Sequence, residues 1–268
     1  MFCSKGAQGS IMKKYLSVFE LHIAERIYRI LGISAAAALL DAAAYLWGIR
    51  RLAGEFMQFS ELVESGPGEG WPLGLSPFYA VFCAGFVAAS AVVISRGARY
   101  SVPSGTILRL RISERAVFLI RIPAGMACMA VYYLSQALVM LCLSVLYIRA
   151  NGGAAGPQAM MIDFYRSPFL HGLVPLEYTS LWVRNIIFIA LIAAFGAVAG
   201  LSANTSNKQF EPVIGAWIGV ILAMRFRSEL DASAGMVLAA GMFIVTAGLI
   251  VYGLMNAQDG KGGSAEND

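Results

Sequence analysis

The sequence predicts an all-α fold: a polytopic membrane helix bundle of about six transmembrane helices, with an amphipathic interfacial helix at the N-terminus. Three observations lead there. The 268 residues are 58% hydrophobic and 13% charged, against about 25% charged in an ordinary soluble domain. Mean hydropathy is +0.68. The apolar residues gather in runs long enough to cross a bilayer, and basic residues collect at the ends of those runs, which is a topology signal. The formal net charge of +4 therefore reads as membrane topology, and nucleic-acid binding is not expected. The chain divides into an N-terminal cytoplasmic or interfacial segment (1–29), a transmembrane domain (30–255) and a disordered polar tail (256–268).

In the first segment, Ile11, Tyr15, Phe19, Ile23 and Ile27 recur at helical spacing among Lys13, Lys14, Glu20, Glu25, Arg26 and Arg29. This predicts either an amphipathic helix lying on the inner membrane surface or the cytoplasmic start of the first span. A long mixed-charge stretch before the first apolar run does not fit a cleavable signal, so the first span is expected to be retained. That span is Ile30 to Gly48, and Asp41 sits inside it. A carboxylate at membrane depth costs about 3 kcal/mol to insert. It should face the protein interior or water and find a partner. Asp41 is a candidate translocation-path residue; the alternative is a structural carboxylate.

Arg50 to Ser76 is Gly/Pro-rich and acidic, through Glu55, Glu61, Glu64 and Glu69, and is expected to be an outer loop. Pro77 to Ile94 is the second span. The segment Ser95 to Pro123 then holds six arginines. A turn is expected at Pro103-Ser-Gly, and Ile107, Leu108, Leu110 and Ile112 alternate with Arg109 and Arg111. Ser113 is placed as a helix N-cap, and Glu114 suits the positive first turn. The helix that follows runs apolar to Ile148, longer than one span needs, with a kink expected at Pro123.

Arg149 to Trp182 is an unusually apolar loop, with Met160, Met161, Phe164, Tyr165, Phe169 and Leu170. It is expected to fold over the outer mouth or dip into the interface. Val183 to Leu201 is the fourth span. Val213 to Met224 is short for a span, so a crossing and a re-entrant segment both stay open. Ala234 to Met255 is the last span, with Ala234, Gly241 and Gly248 on one face as a packing seam. Counting Lys and Arg by side for six spans places about 13 of the 20 with the N-terminus, the Ser95 loop, the Ser202 to Glu211 loop and the tail, which predicts a cytoplasmic N-terminus.

Enzymatic chemistry is not expected. There is no G-x-x-x-x-G-K-[ST] phosphate loop, no H-E-x-x-H and no G-x-S-x-G. His22 and His171 are too few for a histidine-rich metal site, and Cys3, Cys83, Cys128 and Cys142 form no C-x-x-C pair. No catalytic residue, metal or cofactor is predicted. One cysteine pairing between spans stays open.

Six spans, an amphipathic N-terminal helix and a structured basic loop between the second and third spans resemble an ABC-2-type transporter permease, a bacterial ABC transporter membrane subunit. The stretches LRLRISERAVFLIR (Leu108 to Arg121) and PQAMMIDFYRSPFLHGLVPLE (Pro157 to Glu177) add to the resemblance. It implies a plasma-membrane subunit that hydrolyses no ATP itself and couples a separate ATP-binding cassette ATPase to substrate translocation, as a homodimer or heterodimer within the lipid bilayer. Arg109, Arg111, Ser113, Glu114 and Arg115 would then be the partner-coupling residues. Against this stand a positive-inside anchor touching only headgroups, an ion-coupled carrier using Asp41, and a non-transporting membrane scaffold or sensor.

Overall fold

The computed structural model describes residues 5–51, 58–64, 76–95, 113–150, 157–176, 179–201, 210–226 and 232–257. Within them every regular element is an α-helix: α1 (Lys5–Arg51), α2 (Phe59–Glu64), α3 (Pro77–Ile94), α4 (Glu114–Ala150), α5 (Pro157–Arg166), α6 (Pro168–Leu173), α7 (Thr179–Ala199), α8 (Phe210–Ala223) and α9 (Ala232–Asn256). Five are long and apolar enough to cross a membrane: α1 over Lys13–Arg50, α3, α4, α7, and α9 over Gly235–Asn256. This is the architecture of a multi-pass membrane protein. Cys83, Cys128 and Cys142 are free thiols, while Cys3 lies outside the described residues.

No break separates the amphipathic N-terminal stretch from the first apolar run. Both belong to α1, 47 residues long and so about 70 Å. The junction offers nothing to stop a helix: it has no proline, and strong helix formers follow at Ala35 to Ala38. Starts elsewhere follow ordinary capping. Ser76 Oγ accepts from Tyr79 N at 3.2 Å ahead of Pro77 in α3. Ser113 Oγ accepts from Ala116 N at 3.3 Å to open α4, with Glu114 in its first turn. The cap expected at Ser113 is therefore present.

The first four long helices, α1, α3, α4 and α7, alternate in direction, and α9 runs parallel to α7. Val93, near the end of α3, meets Gly125 of α4 and Gly196 of α7. Arg121 meets Gly200 just past the end of α7, and Arg115 Nε donates to Ala257 O at 3.4 Å beyond the end of α9. The ends of α3, α7 and α9 thus share one face of the bundle with the start of α4. At the opposite face Tyr147 of α4 packs on Phe59 of α2, ring centroids 5.7 Å apart.

α8 runs antiparallel along α3 for most of its length. Gly215 packs on Ala91 and Ile94, Gly219 on Val87 and Ser90, and Ala223 O accepts from Tyr79 Oη at 2.9 Å. The two α8 glycines lie against α3 backbone, so any larger side chain would push the helices apart. The Gly241 and Gly248 seam of α9 behaves differently. Among the described residues no atom lies within 4 Å of a Cβ built at either position, so this face packs against none of them.

The core is apolar, yet the outer surface carries many large apolar side chains as well and several polar ones lie inside. Leu39, Leu40, Trp217, Val237, Ile244 and Met255 are exposed, while Asp41, Gln136, Ser144 and Arg184 are buried. Leaving each large apolar side chain in water would forgo about 1.5–3 kcal/mol, whereas lipid removes that penalty.

Candidate functional site

The inward face of α1 is read off its buried residues: Val18, His22, Arg26, Ile30, Ser34, Ala37, Asp41 and Tyr45. They recur every three or four residues, one helical stripe, and half are polar. This stripe packs along α4, whose own buried face carries Tyr132, Gln136, Met140 and Ser144.

Asp41 is 0% exposed, and neither carboxylate oxygen meets a donor. It faces the protein interior, as a carboxylate at this depth should, but among the described residues it has no hydrogen-bond partner. Tyr132 lies within electrostatic reach. Its hydroxyl, however, donates to Phe82 O at 2.9 Å, across a gap that Gly85 leaves open. Ser34 Oγ, both amide atoms of Gln136, and Ser144 Oγ are likewise buried without partners. Each such group costs about 1–3 kcal/mol unless something satisfies it. Four polar residues left so along one helix pair can bind a guest that brings its own donors and acceptors: an ion, water or the polar part of a substrate.

One end of this polar stripe is covered. α5 and α6 lie over it with α2, tied by Ser60 N and Oγ to Asp163 Oδ1 (3.2 and 2.9 Å), by Ser167 Oγ to Glu64 Oε1 at 2.5 Å, and by Phe169 N to the same oxygen at 3.2 Å. Phe169 inserts against Tyr79 and Phe82, centroids 5.4 and 5.5 Å away. The apolar loop after α4 thus folds over the bundle end.

Beneath the cover sits Arg184 of α7, 2% exposed. Its Nε and a terminal nitrogen donate to Asn185 Oδ1 at 3.2 and 3.1 Å, and its guanidinium lies over the rings of Phe188 and Phe226. Asn185 Nδ2 in turn donates to Tyr133 Oη and to Gly172 O, both at 2.9 Å.

Of the expected partner-coupling residues, Ser113, Glu114 and Arg115 stand exposed at the start of α4. Arg115 also holds the end of α9 through Ala257. Arg109 and Arg111 lie outside the described residues. Asp41 is some seven turns along α1 from the face that bears Ser113, so these two expected sites are not brought together; α4 connects them. Sequence reasoning passed over Ser34, Gln136, Ser144 and Arg184. The available signal was a polar residue inside an apolar run at helical spacing, strongest for Gln136 and Arg184.

No family model matches the chain, and comparison with curated proteins and with solved structures gave no match.

Proposed function

We propose that the chain is the membrane-spanning permease subunit of an ATP-driven transporter of the ABC-2 type, in the bacterial plasma membrane with its N-terminus cytoplasmic. A separate ATP-binding cassette ATPase docks on the loop before α4, through Arg109, Arg111, Ser113, Glu114 and Arg115. The observation that supports this best is the course of α4. It is one helix from the Ser113 cap to Ala150. Its first residues extend past the end of α3, and its middle lines the polar stripe opposite Asp41. A push at Glu114 is carried as rigid-body motion to Gln136 and Ser144, which changes the space around the Asp41 carboxylate. The bond from Arg115 to Ala257 carries the same motion into α9.

α8 serves as the sixth crossing. It accompanies α3 from Ile94 to Tyr79, and α3 itself, with 18 residues, is about 27 Å long, close to the hydrocarbon thickness. The amphipathic part of α1 then lies at or below the inner surface. Two copies line the pathway, meeting along the Gly241 and Gly248 face of α9. An ion-coupled carrier is the second reading, favoured by the unpartnered Asp41 carboxylate, and it needs no ATPase.

Isolation from the native membrane in mild detergent tests the choice. An ATPase subunit is expected to accompany the chain, and Arg109→Glu with Arg111→Glu to reduce its recovery by about tenfold or more, since truncating paired interfacial charges costs 2 kcal/mol upward. Recovery of the chain free of any ATPase contradicts the proposal and leaves the carrier.

A further inference from the structure

Near the face that bears Ser113, the inward stripe of α1 carries two residues that the translocation reading does not use. His22 and Arg26 lie one turn apart, 4% and 7% exposed. Among the described residues, neither ring nitrogen of His22 and not the Nε of Arg26 meets a hydrogen-bond partner. From α4, Arg121 comes within electrostatic reach of His22. Its guanidinium packs over Gly200, where α7 has ended, and the negative end of a helix dipole favours a cation. Glu25 is the acid within reach of Arg26, and Cys128 of α4 is its other titratable neighbour.

We propose that His22, Arg26 and Arg121 form a binding site for a phosphate group at the membrane surface, brought by an anionic lipid headgroup or by free phosphate. Guanidinium groups stay charged at any physiological pH, and two of them beside an imidazole repel one another in a low-dielectric setting. Removing ions from water is costly unless they are compensated. Glu25 offsets one charge. A phosphate oxygen accepting from Arg26 Nε and from His22 satisfies the atoms left over, as a charge-assisted bond. Arg121 has a further interaction within the chain, so the two α1 residues carry most of the recognition.

Depth supports a headgroup. α3 spans about the hydrocarbon thickness, so its end at Ser95 marks one bilayer surface. Val93 is level with Gly125, and Arg121 lies one turn further out, where phosphates sit. Tyr28 is exposed on α1 beside Arg26, a residue suited to the headgroup layer. Basic pockets between transmembrane helices on the inner side are the usual seat of anionic headgroups. This site depends on the membrane placement alone, and not on the ATPase.

The test is thermal unfolding of the purified full-length chain in detergent, titrated with phosphatidylglycerol, phosphatidylcholine or sodium phosphate. The melting temperature is expected to rise saturably with phosphatidylglycerol or with phosphate, and not with phosphatidylcholine. A response to the lipid alone identifies a headgroup site, and a response to phosphate a soluble-anion site. His22→Gln with Arg26→Gln is expected to weaken the half-saturation point by about tenfold or more, while Arg26→Lys retains part of the response. Equal responses to all lipids, no response to either anion, or an unchanged titration in the double variant overturns the proposal. If the double variant does not fold, native mass spectrometry of wild type and Arg26→Lys decides instead: retained anionic lipid or phosphate, lower in the lysine variant, is the expected result, and none retained overturns it.

Discussion

Asp41→Val is expected to raise the melting temperature of the purified chain while abolishing transport. Both effects come from the same fact. The carboxylate is fully buried and no group in the described chain satisfies it. Replacing an uncompensated buried polar group with an apolar one of similar volume removes a penalty of about 1–3 kcal/mol. A bundle that keeps Asp41 gives up that stability for function, the usual direction of trade at working sites. Asp41→Asn keeps the shape and removes the titratable carboxyl, and is expected to reduce flux by about tenfold or more. Flux into or out of proteoliposomes, driven once by ATP with the ATPase subunit and once by a proton or sodium gradient, checks the result and separates the two transport readings. A fall in melting temperature with Asp41→Val means that Asp41 is structural.

Phe226→Ala is expected to be the most destabilising single truncation, by about 3–5 kcal/mol. The ring lies 5.0 Å from Phe82, 5.4 Å from Phe86, 5.8 Å from Phe188 and 6.0 Å from Tyr133, centroid to centroid. It therefore joins the far end of α8 to α3, α4 and α7 at once. It is also one of the two rings under the Arg184 guanidinium, 5.9 Å away, so its removal leaves a cavity and strips a buried cation of part of its compensation. The Phe226 carbonyl rests on Gly172, where any side chain would collide with it, so neighbouring backbone cannot close over the gap. Thermal denaturation in detergent checks this. Phe226→Leu, which keeps most of the volume, is expected to lose less than half as much.

Much of the fold was legible in the sequence because lipid writes a coarse pattern. Apolar runs of span length named α1, α3, α4, α7 and α9, and local capping chemistry named the starts at Pro77 and Glu114. What the pattern hid were the features decided by tertiary contacts. Whether the amphipathic stretch ends before the first span was open in the sequence, and the two form one helix, because amphipathicity changes along a helix without ending it. Phe226, just past the short run Val213 to Met224, carries no sequence signal of burial, yet it is a central core residue. Gly241 and Gly248 read as a packing seam, and the sequence did not say against what; no described residue packs on them. The candidate site was half legible. Asp41 stood out because charge is rare in an apolar run. The other unpartnered polar residues, Ser34, Gln136 and Ser144, did not, because only the packing of α1 on α4 places them on one interface.

The central claim is that force enters through the start of α4 from the side of the membrane that holds ATP. The measurement that tests it most directly is thiol labelling of Glu114→Cys, in a Cys3→Ser background, with a membrane-impermeant reagent on intact cells and on inside-out vesicles. The account predicts labelling in inside-out vesicles and none in intact cells. Labelling of intact cells would put Glu114 outside, where no ATPase can reach it, and would contradict the account.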